Sequence, residues 1–176
     1  CSQPPAGVEP HSTGLPPSPL DGCPTPISWQ VVLREFRVQI PLQTIENTSG
    51  PIHFRVWGNG PPLYFINGMG GTIDHFALLT YLLKSDFQCV IPEYPSVSTH
   101  GRRCFRLNAS DLSDRVIALA DHLGDRQFSL FATSLGSLVS WDLMARNQDR
   151  ILQAVVAGGF AHRNLSLAER ALIHVG

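Results

Sequence analysis

Ser134 stands in the stretch "SLFATSLGSLVSW", residues 129 to 141, between an apolar run that reads as a strand and one that reads as a helix. A serine hydroxyl used as a nucleophile works best on a sharp strand-to-helix turn that projects it beyond the sheet. The crowding of such a turn admits only small residues two positions before and after the serine. Ala132 and Gly136 meet that demand. A helix opening directly behind the serine points its unpaired N–H groups at the reacting atoms, so the Leu135 N–H can stabilise the oxyanion formed when the serine attacks a carbonyl. A second donor is expected from "NGMGG", residues 67 to 71, whose glycines let the backbone pass close to a ligand. Its candidate group is the Met69 N–H. The chemistry these residue types suit is acyl transfer, with Ser134 as nucleophile and Met69 and Leu135 as oxyanion donors.

Both turns need a sheet that ends at them. "IHFRVWGNG" (52–60) alternates like a half-exposed strand and closes on an N-G turn signal, and "LYFI" (63–66) follows as a short buried run. A helical stretch comes next, with Thr72 as cap, Asp74 at its positive end, and Phe76, Leu79 and Leu83 on one face. "FQCVIP" (87–92) reads as a buried strand. Ser110 is the expected cap of a helix whose apolar positions are Leu112, Val116, Leu119 and Leu123, with Gly124 as its stop. "QFSLFA" (127–132), "LGSLVSWDLMARNQ" (135–148) and "ILQAVVAGGF" (151–160) continue as strand, helix and strand. Apolar strands separated by helices are the mark of an α/β fold with a mainly parallel sheet and flanking helices. Ligands in such sheets gather at the carboxyl ends of the strands, where both turns fall.

Composition narrows the function further. Thirteen basic residues against fourteen acidic ones leave a net charge of −1, which gives no field to draw the protein to nucleic acid. No apolar run approaches the ~20 residues of a transmembrane segment. Four cysteines lie far apart without a C-x-x-C pair, so neither zinc nor a disulfide framework is expected, and Cys89 reads as a small core hydrophobe. No cofactor is expected: "GMGG" opens like a dinucleotide loop, but Ile73 holds the third glycine position. Residues 1–27 contain eight of the fourteen prolines and no periodicity, which marks a disordered leader ahead of a core over 28–176. A cytoplasmic location is expected, with a lipid anchor at Cys1 in a bacterial envelope as the alternative.

From about residue 50 to 170 the chain resembles the α/β-hydrolase family. The resemblance rests on "FINGMGG" as the oxyanion turn, "VIPEYP" as the next strand end and "LFATSLGS" as the nucleophile elbow, in that order. Two departures stand out, Asn67 where the family usually has His and Ala132 in place of the first elbow glycine. The resemblance implies a serine hydrolase of esterase or lipase type acting on a small acyl substrate, with an acid and then a histidine following the serine in the chain.

That order raises a difficulty. Asp142 lies within the helix behind the serine and Asp149 beyond its far end, while Glu169 belongs to "SLAE" (166–169), a capping box. A full sheet of this family would need on the order of 240 residues at about 30 per strand and crossover. The acid and base are therefore expected beyond residue 176, in a later part of the polypeptide or in a second chain that completes the sheet. Within the sequence His162 is the first candidate base and His100 the second. The alternative reading is a hydrolase-fold module that binds without turnover. For the leader, deletion of residues 1 to 27 is expected to leave the thermal midpoint nearly unchanged; a loss of several degrees in a calorimetric scan would show that it packs on the core.

Overall fold

Buried side chains alternate along the central strands so that both faces of one sheet are covered. In the computed structural model, which describes residues 28–68, 70–95 and 108–159, that sheet has six strands. They are β1 (Gln43–Ile45), β2 (Ile52–Trp57), β3 (Pro62–Ile66), β4 (Gln88–Pro92), β5 (Phe128–Thr133) and β6 (Ile151–Ala157), in the order β1-β2-β4-β3-β5-β6. β4, β3, β5 and β6 run parallel, and β2 and β1 are antiparallel to their neighbours.

Helices α3 (Ala109–Leu123) and α4 (Gly136–Arg146) cover one face. There Val116, Leu119, Val139 and Leu143 pack on Phe54, Tyr64, Ile66, Val90, Phe128 and Leu130. The other face receives α1 (Trp29–Gln39), a 3-10 turn (Ile73–Phe76) and α2 (Ala77–Leu83), which bury Val32, Phe36, Ile73 and Phe76 against Trp57, Phe65, Cys89 and Ile91. Cys89 is a core residue, and burial pushes its thiol up to about 12, so it stays protonated and unreactive. α1 is further tied down by Glu35 to Lys84, 3.2 Å, and by Arg37 Nε to Asp74, 3.0 Å. The Lys84 ammonium lies over the Trp57 and Tyr81 rings at 4.4 and 4.1 Å.

At residue level the structure revises one expectation, the cap of α3, and gives the N-G signal its setting. The N-G signal at residues 59–60 makes no hairpin, because β4 lies between β2 and β3 in the sheet. Gly58 and Gly60 instead take positive φ and lie against the carbonyls of Lys84, Phe87 and Asp86, where a Cβ would come within 2.3 to 2.5 Å. β2 alternates as expected, with Ile52 and Phe54 buried on one face and His53 and Arg55 only partly covered on the other, until Trp57 at its end enters the second core. The cap of α3 is Asn108, not Ser110. Asn108 Oδ1 accepts the Asp111 N–H and Asp111 Oδ2 accepts the Asn108 N–H, both at 2.9 Å. Ser110 lies in the first turn, and its hydroxyl donates to Asp142 Oδ1 on α4 at 2.8 Å.

α1 and β1 carry weak sequence signals. In α1 only Val32 and Phe36 are buried while Trp29, Val31 and Val38 face outward, which blurs the apolar stripe. β1 is a three-residue edge strand with no buried side chain. The loop between β1 and β2 is held by Arg115 of α3, whose buried guanidinium donates to the carbonyls of Ser49 and Gly50 at 3.1 Å and to that of Pro51. Arg115→Met keeps the stem but strips three acceptors of their donor, and is expected to lower unfolding free energy by roughly 1–3 kcal/mol. A denaturant titration checks this; a loss below a few tenths of a kcal/mol would show that the clamp is dispensable.

Candidate active site

The strands β3, β5 and β6 end level, with Ile66 opposite Ala132 and Thr133 opposite Ala157. β5 then turns into α4 within two residues. Gly136 passes so close to the end of β3 that a Cβ there would lie 2.4 Å from the Ile66 carbonyl oxygen and 2.8 Å from that of Asn67. Only glycine fits, a tighter demand than the small residue that the sequence expects two positions after the serine. Between these fixed ends Ser134 adopts φ +49°, the one positive φ among the described non-glycine residues. An L-residue pays about 1–2 kcal/mol for that conformation. Its surroundings hold it there: the Ser134 N–H donates to the Ala157 carbonyl at 3.2 Å, and the Ser134 carbonyl accepts from the Ser137 N–H at 2.9 Å and Oγ at 2.6 Å. Ser134 itself is exposed, while Ala132 and Gly136 on either side are buried.

Two backbone walls face the serine. Leu135 is helical, φ −55° and ψ −33°, and caps the N-terminus of α4. Its N–H has no acceptor among the described residues. Gly68, after β3, lies against the serine side chain: a Cβ at 68 would stand 3.0 Å from Ser134 Cβ and 3.6 Å from Oγ. From Gly68 the chain makes a tight turn, with the Gly71 N–H donating to the Gly68 carbonyl at 3.1 Å and Gly70 at φ +69°. The buried Asn67 spans this turn by a bond from Nδ2 to the Thr72 carbonyl, 3.2 Å. From the loop after β4, the Tyr94 hydroxyl donates to the Asn67 carbonyl at 2.7 Å. Burial raises the Tyr94 phenol well above its ordinary value, so it remains a donor.

Met69, His100 and His162 lie outside the described residues. The described histidines are engaged elsewhere. His53 Nδ1 pairs with Thr44 Oγ1 at 2.8 Å, His75 Nδ1 accepts the Thr72 N–H at 3.0 Å, and His122 stands edge-on to Phe54. Asp142 is bonded to Ser110 and to Arg146, which also reaches Asp114. Burial works against its charge, but those hydrogen bonds hold its carboxyl below the usual carboxylate range. Sequence reasoning named the turn 67–71 without seeing that Asn67 and Tyr94 brace it. The available signals were a polar residue directly after an apolar strand and a tyrosine at the carboxyl end of the next.

A concavity of about 590 Å³ opens elsewhere, lined by Asp121, Asp125, Arg126, Asp149 and Arg150 among others. It adjoins the start of β5, and six strand residues at about 3.3 Å each place it roughly 20 Å from the serine. Arg150 crosses it to Asp121 and to the Asp125 and Arg126 carbonyls, and Tyr64 donates to Asp125 at 2.6 Å. It is a polar seam joining α3, β3 and the approach to β6, remote from the elbow.

A strained serine between a parallel strand and a helix N-terminus, with a glycine turn from the neighbouring strand against it, is an α/β-hydrolase elbow. Residues 61–173 match the family model of the alpha/beta hydrolase fold, and the chain belongs to that family. No curated protein sequence matches it. Among solved structures it is similar to a hydrolase from Pseudomonas aeruginosa, at 20% identity and TM-score 0.64, over 76% of this chain and 51% of that one. It is likewise similar to an epoxide hydrolase from Vigna radiata, at 25% identity and TM-score 0.61, over 77% of this chain and 45% of that one. A variant of a Vigna radiata epoxide hydrolase gives 21% identity and TM-score 0.59, over 76% and 44%. The chain thus spans about half the length of these structures.

The elbow's strain is directly measurable. Ser134→Gly removes the Cβ that disfavours positive φ and is expected to be more stable than Ser134→Ala by about 1 kcal/mol. Equal thermal midpoints for the two variants would mean that the serine backbone carries no strain.

Proposed function

We propose that the protein is a serine hydrolase acting on a carboxylic ester or related acyl compound. The observation that supports this most is the exposed Ser134 held at φ +49° beside the Leu135 N–H, which has no acceptor among the described residues. In this reading a base removes the hydroxyl proton and Oγ attacks the acyl carbon. The carbonyl oxygen becomes an oxyanion facing Leu135 N–H and a second donor from the turn 67–72, for which Met69 remains the assignment. Collapse of the oxyanion expels the alcohol or amine, which takes up the proton. Water, activated by the same base, then hydrolyses the acyl-serine. The base and the acid that orients it come from outside the described residues.

Epoxide hydrolysis, the activity named for two of the similar structures, suits this site less well. A serine hydroxyl that opens an epoxide forms an ether, and an ether offers water no carbonyl to attack. An acyl-serine does offer one, so the residue type at 134 favours an acyl substrate.

The test is covalent labelling of the full-length protein carrying this chain by a fluorophosphonate probe. Rapid labelling at Ser134 that disappears in Ser134→Ala is expected. A folded protein that takes up no probe would shift the reading to a hydrolase-fold module that binds without turnover.

A further inference from the structure

We infer that Tyr94 and Asn67 are positioning residues of this site: together they fix the turn after β3 in the shape that sets its backbone against Ser134. The inference rests on the serine-hydrolase reading and adds to it the groups that hold the oxyanion side rigid.

Asn67 follows four buried apolar residues of β3 and is itself only 2% exposed. A carboxamide in such a place is costly unless it is hydrogen-bonded. Its bond runs to Thr72, across the turn that it begins. Gly71 lies flat on the carboxamide, where a Cβ would meet Asn67 Oδ1 at 2.7 Å and Cγ at 2.9 Å. The Asn67 side chain therefore fills the inside of the turn and acts as its internal strut. An aliphatic residue of similar size would leave the Thr72 carbonyl without this donor.

The backbone of Asn67 is fixed separately. Its carbonyl sits between the Tyr94 hydroxyl at 2.7 Å and the α-carbon of Gly136, where a Cβ would be 2.8 Å away. A peptide group is planar, so fixing the Asn67 carbonyl also fixes the plane that leads into Gly68. Gly68 is the residue that touches the Ser134 side chain. The far end of the turn is anchored in its own way, by His75 Nδ1 on the Thr72 N–H and by Arg37 of α1 on Asp74. Two separate elements, the loop after β4 and the start of α4, thus converge on the Asn67 carbonyl, while α1 holds Asp74 just beyond the turn. Neither the Tyr94 hydroxyl nor the Asn67 amide is directed to the nucleophile: each is bonded to a backbone carbonyl. Their effect on the reaction passes through the turn.

Donors that act only on the transition state change kcat, and misplacing a group by about 1 Å can cost on the order of 100-fold. The experiment measures kcat and KM for p-nitrophenyl butyrate in the full-length protein and in Tyr94→Phe, Asn67→Ala and Ser134→Ala. Tyr94→Phe keeps the ring and removes only the hydroxyl, so it decides the matter if Asn67→Ala fails to fold. The expected result is a fall in kcat of roughly 10- to 100-fold in Tyr94→Phe, with KM within about twofold and a thermal midpoint near that of the unaltered protein. An active protein whose kcat is unchanged by Tyr94→Phe would overturn this inference and leave the nucleophile assignment intact. An unaltered protein that turns over no ester, or whose turnover survives Ser134→Ala, would overturn the nucleophile assignment and with it the positioning role.

Discussion

The approach of Gly136 to the carbonyls of Ile66, the last residue of β3, and Asn67 just after it is the contact on which the site depends. A single extra carbon at that position would stand 2.4 Å from the Ile66 oxygen, so α4 can begin where it does only because residue 136 has no side chain. With the helix start fixed there and β5 fixed by its ladders to β3 and β6, two residues are left to reverse the chain. Ser134 absorbs the reversal as a positive φ. Backbone strain of this kind persists only where the surroundings over-determine it. The bonds from Ser134 to Ala157 and from Ser137 to Ser134 supply that determination.

The remaining architecture holds the ends of β3, β5 and β6 level. Two apolar layers clamp the sheet from opposite faces, and polar seams lock the helices that form them. Ser110, Asp142, Arg146 and Asp114 join α3 to α4, so the helix carrying the elbow is fixed along its length as well as at its start. Arg37 and Glu35 tie α1 to the 3-10 turn and to the end of α2. Most of these pairs are partly exposed and individually worth little. Their value is geometric, since they fix the helices against the sheet whose β3 and β5 ends carry the serine turn.

The elbow was legible in the sequence because its requirements are steric and local: small, any, serine, any, small between an apolar strand and an apolar helix. The parallel sheet was legible too, since strands covered on both faces show as unbroken apolar runs such as "LYFI" and "CVIP". Elements with few buried residues were not. α1 shows only Val32 and Phe36 to the core, and β1 none. Gly58 and Gly60 around the N-G signal serve a close approach to the α2–β4 connection, a contact that no local pattern records. The bracing of the turn after β3 by Tyr94 was hidden for the same reason. It joins residues 27 positions apart through a strand order, β4 beside β3, that one sequence does not display.

The central claim is that Ser134 and the N-terminus of α4 form one catalytic unit. The most direct measurement is a crystal structure of the full-length protein after reaction with a phosphonate. The account predicts a covalent bond from phosphorus to Ser134 Oγ, with a non-bridging oxygen about 2.7–3.1 Å from the Leu135 nitrogen. A phosphonyl group on another residue, or one on Ser134 whose oxygens all point away from Leu135, would contradict it.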